Sequence, residues 1–133
     1  MCVDLESLTK TIRAAVPDLQ AVYMFGSRAR GDAGPKSDLD LAVLADKRLP
    51  ELQRWALQER LAQLAHMDVD LVDLRRASTV LRVQVLASGQ VLADVVPRAR
   101  AEFEAIALGA YARFQDERRG IVEDARARGR VHG

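Results

Sequence analysis

Asp38 and Asp40 stand two residues apart at the start of an otherwise apolar run, Asp38-Leu39-Asp40-Leu41-Ala42-Val43-Leu44, and ten residues separate Asp38 from the pair Gly26-Ser27. On a strand, residues two apart project to the same side. Both carboxylates then share one face while Leu39, Leu41 and Val43 take the other. Like charges in such a setting repel and lose hydration, and a divalent cation offsets both effects. Mg²⁺ takes a few carboxylate oxygens together with phosphate oxygens and water. Glycine lets the backbone approach a ligand closely, and amides beside a serine hydroxyl bind phosphate oxygens. Gly26 and Ser27 are therefore the candidate triphosphate ligands, and Asp38 and Asp40 the candidate metal ligands.

Two acids so spaced also occur at solvated strand ends, so a third carboxylate matters. Asp70 lies in Val69-Asp70-Leu71 much as Asp40 lies in Leu39-Asp40-Leu41. If residues 67–74 pair beside residues 38–44, Asp70 reaches the same metals. Three carboxylates suffice for two cations roughly 3.5–4 Å apart, the arrangement of in-line phosphoryl displacement. Asp70 would be the general base for an attacking hydroxyl, or the ligand that orients it. Asp68 shares its face but sits at the strand start, and ranks below it. Arg28 and Arg30 flank the glycine turn; on a helical turn they point different ways, and Arg30 is preferred as a nucleotide contact. Lys36 and Ser37 read as loop polarity.

The elements that must position these residues follow from periodicity. Leu5, Leu8, Ile12 and Val16 give an amphipathic helix over 4–16, with Asp4 as its cap and Pro17 as its stop. Leu19 to Phe25 reads as a strand ending at a glycine. Ser27 to Arg30 forms one helical turn, 31–37 an exposed loop, and Asp38 to Leu44 an interior strand. Pro50 opens a helix to about Ala65, with Leu57, Leu61 and Leu64 on one face and Trp55 as an anchor. Met67 to Leu74 is a third strand. Residues 78–87 allow a helix capped by Ser78, with Val80, Val83 and Ala87 inward, or a strand through Val83-Gln84-Val85; the helix is favoured, because Ser88-Gly89 stops it before a short strand, Gln90 to Val95. From Pro97, Phe103, Ile106, Ala107, Ala110, Tyr111 and Phe114 keep helical spacing, and Ile121, Val122 and Ala125 resume it. That gives one long helix, or two broken near Gly120, with a solvated tail at Arg126, Arg128 and Arg130. The fold class is α/β (α+β), a small mixed sheet of about four strands flanked by helices with a long C-terminal helix.

Composition narrows the function classes. The 133 residues are 49% hydrophobic and 29% charged, as in one globular domain with a real core. A net charge of +1 from 20 basic and 19 acidic side chains indicates no general attraction to nucleic acid or anionic membrane. Cys2 is the only cysteine, which rules out a disulfide framework and a thiolate metal cluster. Asp4 and Glu6 fall where a signal peptide needs an apolar core, and no run reaches membrane-spanning length, so a cytoplasmic location is expected. His66 and His132 are too scattered for a histidine metal site or a serine triad. Gly26 to Gly31 lacks the Gly-Lys-Ser/Thr ending of a P-loop.

Gly26-Ser27, ten residues, Asp38-Leu39-Asp40 and then Val69-Asp70-Leu71 resemble the signature of the polymerase-beta-like nucleotidyltransferases. The short chain and Gly-Ser-Arg-Ala-Arg-Gly at 26–31 are most similar to its minimal nucleotidyltransferase (MNT) branch. The likeness to antitoxin members encoded beside a HEPN toxin extends to the helix around Tyr111-Ala112-Arg113-Phe114. The resemblance implies the polymerase-beta-like fold, with residues 1–96 as the minimal nucleotidyltransferase domain and 97–133 as its helical extension. It implies that Gly26 and Ser27 hold the triphosphate of ATP, that Asp38 and Asp40 bind two Mg²⁺ ions (Mn²⁺ suits the same oxygens), and that Asp70 completes the triad. It also implies transfer of AMP to a tyrosine hydroxyl of the partner HEPN RNase toxin. Two rivals remain: the same chemistry on a small-molecule hydroxyl, and a non-catalytic antitoxin that occludes its toxin through the long helix.

Overall fold

The computed structural model describes residues 4–34 and 36–132, with side chains described as far as Arg118. Its elements are α1 (Leu5–Ala15), β1 (Leu19–Phe25), α2 (Gly26–Arg30), β2 (Leu39–Ala45), α3 (Glu51–Ala65), β3 (Val69–Asp73), α4 (Thr79–Ser88), β4 (Gln90–Asp94) and α5 (Pro97–His132). The strands form one mixed sheet in the order β3-β2-β1-β4. β1 is antiparallel to β2 and β4, whereas β3 runs parallel to β2. Among the described residues no helix is long and apolar enough to cross a membrane.

Strand alternation splits the core in two. On one face Val22, Met24, Leu39, Leu41, Val43 and Leu71 pack with Leu8 and Ile12 of α1 and Leu57 and Leu61 of α3. Each such side chain contributes about 1.5–3 kcal/mol when fully buried. On the other face Ala21, Tyr23, Ala42, Leu44 and Leu74 meet Val85 of α4 and Phe103 and Ala107 of α5. Asp40 belongs to this second face, two and four residues before Ala42 and Leu44. β2 is thus buried on both sides, which is why its sequence is nearly all apolar.

Caps fall where the sequence expects them. Asp4 accepts from the Ser7 amide at the start of α1, and Ser78 Oγ from the Leu81 amide at the start of α4. Several inward-facing expectations need correction. Leu64 and Trp55 are about half exposed, because α3 meets the sheet through Arg54, Leu57, Gln58 and Leu61, and both fall on the flanks of that face. In α4 the buried residue is Val85, with Leu81 and Leu86 beside it; Val80 and Ala87 are exposed and Val83 half-buried. Helical spacing alone allowed either face. In α5 Phe103 and Ala107 are buried but Ile106 is 66% exposed. The last helix is continuous from Pro97 to His132, so Gly120 does not break it. The side chains of Ile121, Val122, Ala125, Arg126, Arg128 and Arg130 lie outside the described set.

α5 is held by a polar chain as well as by Phe103. Tyr23 Oη donates to Glu104 Oε1 at 2.8 Å, Arg100 Nη1 donates to the same oxygen at 2.8 Å, and Arg100 Nε pairs with Asp94 at 3.1 Å. Burial and the neighbouring Glu104 carboxylate push the Tyr23 phenol far above its ordinary range. It stays a neutral donor.

Candidate active site

β1 delivers the chain to a sharp turn. Gly26 has φ +74°, which a side chain disfavours, and Gly31 closes α2 in the left-handed region at φ +81°. A Cβ on Gly26 would overlap the Oδ2 of Asp40 and stand 3.1 Å from its Cγ. The glycine turn is therefore packed directly against the middle acid. The pairing of β1 with β2 makes this contact, since Phe25 is the register partner of Asp40. Ser27 follows in the first turn of α2, half-buried.

The acids come from two neighbouring strands. Residues 67–74 do lie beside residues 38–44, and in the parallel β2–β3 register Asp40 and Asp70 are direct partners. Asp38 lies one residue ahead of β2 and not within it, and is exposed; Asp70 is also exposed, and Asp40 half-buried. The carboxyl of Asp40 is pushed above the ordinary value of 3.8, first by burial, then by the negative charges of Asp70 and Asp38, with Arg30 opposing. All three acids thus share one electrostatic neighbourhood. Among the described residues none of them is in an ion pair.

No three His, Cys, Asp or Glu side chains among the described residues form a ready-made metal cage. A hard cation that keeps phosphate oxygens and waters needs only one or two carboxylates at a time. The donor set, all oxygen and in no ion pair among the described residues, fits a divalent cation that arrives with a phosphate ligand. The surroundings are open clefts. Asp70 borders one of about 370 Å³ with Arg54, Gln58 and Arg76, and Asp38 another of about 430 Å³ with Lys36, His66 and Asp68. A groove of about 520 Å³ between α1 and β4 contains none of the acids.

The two arginines of α2 have different tasks. Arg28 donates from Nε and Nη2 to the Ser37 carbonyl at 3.3 and 2.9 Å, closing the loop that brings Asp38 to the strand. Arg30 is exposed, pairs with Asp32 at 3.3 Å and is near enough to Asp40 to lower its pKa. Ser37 Oγ accepts from the Gly34 amide at 2.8 Å, a turn contact. Asp68 accepts through its carbonyl from the Leu39 amide at 3.0 Å, at the start of the strand that carries Asp70.

Two groups escaped the sequence reading. Asp73 is only 3% exposed and faces away from Asp70; its Oδ2 accepts from the Leu49 amide at 2.8 Å and its Oδ1 from the Arg75 amide at 3.0 Å. Arg54 and Gln58 reach the outer edge of β3 at Leu71. Their signal was a polar pair four residues apart on the helix face that also carries Leu57 and Leu61.

Comparison with known proteins adds to this geometry. Residues 6–95 match the family described as Polymerase beta, Nucleotidyltransferase. The chain is 40% identical over 120 residues to the protein adenylyltransferase MntA of Shewanella oneidensis, covering 90% of this chain and 86% of that protein. It superposes with a TM-score of 0.84 and 38% identity on a toxin–antitoxin crystal structure with AMP-PNP, over 92% of this chain and 98% of that one. A structure of the tri-AMPylated Shewanella oneidensis HEPN toxin in complex with MNT antitoxin matches at TM-score 0.76 and 37% identity, over 91% and 94% of the chains. The fold, the family match over most of the chain and these relatives agree: this chain belongs to the polymerase-beta nucleotidyltransferase family.

Proposed function

We propose that this chain is a metal-dependent protein adenylyltransferase that acts as an antitoxin, moving AMP from ATP to a tyrosine hydroxyl of a partner HEPN RNase toxin. The observation that carries the reading is the union of Gly26, Asp40 and Asp70: a glycine turn packed on one acid, and a second acid in register beside it. The likeness to an adenylyltransferase, to a complex with an ATP analogue and to one with an AMPylated HEPN toxin supports the substrate, the transferred group and the partner.

The roles follow from chemistry. Gly26 and Ser27 hold the triphosphate by backbone amides and hydroxyl, and Arg30 adds positive charge. Asp38 and Asp40 hold the divalent cations, two Mg²⁺ ions or Mn²⁺ in their place, and Asp70 completes the set. Cations bound there would neutralise phosphate charge and lower the pKa of the attacking hydroxyl. Asp70 takes the hydroxyl proton or orients the group that loses it. The acceptor oxygen bonds to the α-phosphorus, the bond to the bridging oxygen breaks, and pyrophosphate leaves. We assign residues 1–96 to the catalytic domain, 97–133 to its helical extension, and the protein to the cytoplasm.

Exposed apolar residues on α5 favour a second contribution. Ile106 is 66%, Leu108 52% and Phe114 42% exposed, so the long helix offers a surface for occluding the toxin. Incubation with α-labelled ATP, Mg²⁺ and the neighbouring gene's product separates the two. Label on the partner, lost in Asp38→Ala, Asp40→Ala and Asp70→Ala, supports catalysis. Neutralisation that persists in those variants without label makes binding the mechanism, and label on a small hydroxyl compound alone would favour the small-molecule rival.

A further inference from the structure

β3 is an edge strand of only five residues, yet it carries Asp70. Its even-numbered residues turn their peptide groups toward β2, as the Asp68 carbonyl and Leu74 amide do in bonding Leu39 and Val43. Leu71 therefore turns its own outward, where no strand lies among the described residues. There Gln58 Oε1 accepts from the Leu71 amide at 2.9 Å, and Arg54 Nη1 donates to the Leu71 carbonyl at 2.9 Å. Two side chains of α3 reproduce the bonding of an absent neighbouring strand. They are fixed in turn: Arg54 Nη1 also donates to Gln58 Oε1 at 3.0 Å, and Arg54 Nε and Nη2 donate to Glu51 Oε1 at 3.0 and 2.6 Å.

The clamp acts one residue from Asp70, at the point where the strand is under load. Asp70 and Asp40 are like charges in direct register, and their repulsion tends to part β3 from β2. A one-residue slip of β3 would turn Asp70 to the opposite face. We propose that Arg54 and Gln58 are positioning residues, which hold Leu71 from its outer side so that Asp70 stays opposite Asp40 for the transfer reaction. The proposal rests on the reading of Asp70 as a member of the catalytic set. Arg54 also adds a fixed cation to the cleft that Asp70 borders. Leu71 itself points into the core on the α1/α3 face, so the backbone and not its side chain receives the clamp.

The test compares Arg54→Met, Arg54→Lys, Gln58→Leu, Gln58→Glu and Asp70→Asn with wild type, in AMP transfer to the neighbouring gene's product and in amide exchange at Leu71. Loss of a group that orients a ligand typically costs about 10- to 100-fold. Arg54→Met and Gln58→Leu are expected to lower kcat by that amount and raise the Mg²⁺ concentration for half-maximal rate, with KM for ATP held within about twofold. Leu71 exchange should speed up in both. Gln58→Glu keeps the acceptor oxygen and should recover most of kcat and of the Leu71 protection, and Arg54→Lys, still soluble and cationic but without the fork, should resemble Arg54→Met. Wild-type kcat in Arg54→Met and Gln58→Leu, with Asp70→Asn inactive, overturns the positioning role while leaving Asp70 in place. Full activity in Asp70→Asn overturns the reading of Asp70 and the proposal with it. Faster Leu71 exchange and a lower Tm without any change in kcat well below Tm reduces the clamp to a structural edge cover, and overturns it too.

Discussion

In the proposed site, Asp40 is where function and stability oppose each other most directly. Its carboxyl is raised by burial and by two neighbouring carboxylates, so the folded state holds that proton more tightly than the unfolded chain does. Stability from this group is therefore present at pH below the ordinary value of 3.8 and is lost as pH rises through the folded pKa. At neutral pH the metal-free protein bears the penalty. Asp40→Asn should raise Tm at pH 7 in EDTA and lose that advantage below the ordinary carboxylate range, which a pH series of thermal melts would reveal. The same variant should lower AMP transfer by more than about 100-fold, since loss even of outer-shell support for a metal costs 10- to 100-fold. Mg²⁺ with a non-hydrolysable ATP analogue should raise Tm of the wild type and not of Asp40→Asn. Gly26→Ala places a methyl in the space of the Asp40 carboxylate at φ +74°. It should cost about 1–2 kcal/mol in urea unfolding from the left-handed backbone alone. Transfer should fall by about 100-fold because the acid is displaced.

At the scale of elements, one short strand turns two aspartates to opposite sides of the sheet. Asp70 and Asp73 are three apart on β3, so one faces the open site and the other the core side of Leu49. Asp73→Ala leaves the buried Leu49 amide without its acceptor and should cost about 1–3 kcal/mol. With AMP transfer assayed well below Tm, its kcat should remain close to wild type, the reverse of Asp70→Ala. Tyr23 performs a similar service between β1 and α5. Tyr23→Phe removes the 2.8 Å bond to Glu104, which Arg100 still neutralises. A loss of about 1–2 kcal/mol in chemical denaturation, without loss of transfer, is expected.

For the whole molecule, the long last helix sets the outward form. Its 36 residues extend about 54 Å at 1.5 Å per residue, much further than its buried anchors Phe103 and Ala107 require. Between Leu108 and Arg118 no residue is fully buried. If this helix helps to hold the toxin, the double change Ile106→Glu and Phe114→Glu should weaken the complex by more than tenfold, about 1.4 kcal/mol. Folding stability should stay within about 0.5 kcal/mol, as for surface substitutions elsewhere. Calorimetric titration against the partner and thermal melts of the free protein would measure the two effects separately; unchanged affinity would place the contact surface elsewhere.

Much of this molecule is determined within short stretches of its sequence. The caps at Asp4 and Ser78, the glycine stop of β1 and the alternation of β2 depend on neighbours a few residues away, and local sterics and hydrogen bonding decide them. The chemical types at Gly26, Ser27, Asp38, Asp40 and Asp70 are likewise written in the chain. Which helix faces turn inward was not. Trp55, Val80 and Ile106 have the right spacing for burial and are exposed, because a neighbouring element selects one apolar stripe among several. Nor did the chain by itself reveal that β3 runs parallel to β2, that Asp40 meets Asp70 in register, or that Arg54 and Gln58 bond the outer side of Leu71. Register and direction arise from contacts between residues thirty positions apart, and only the packed sheet brings those residues together.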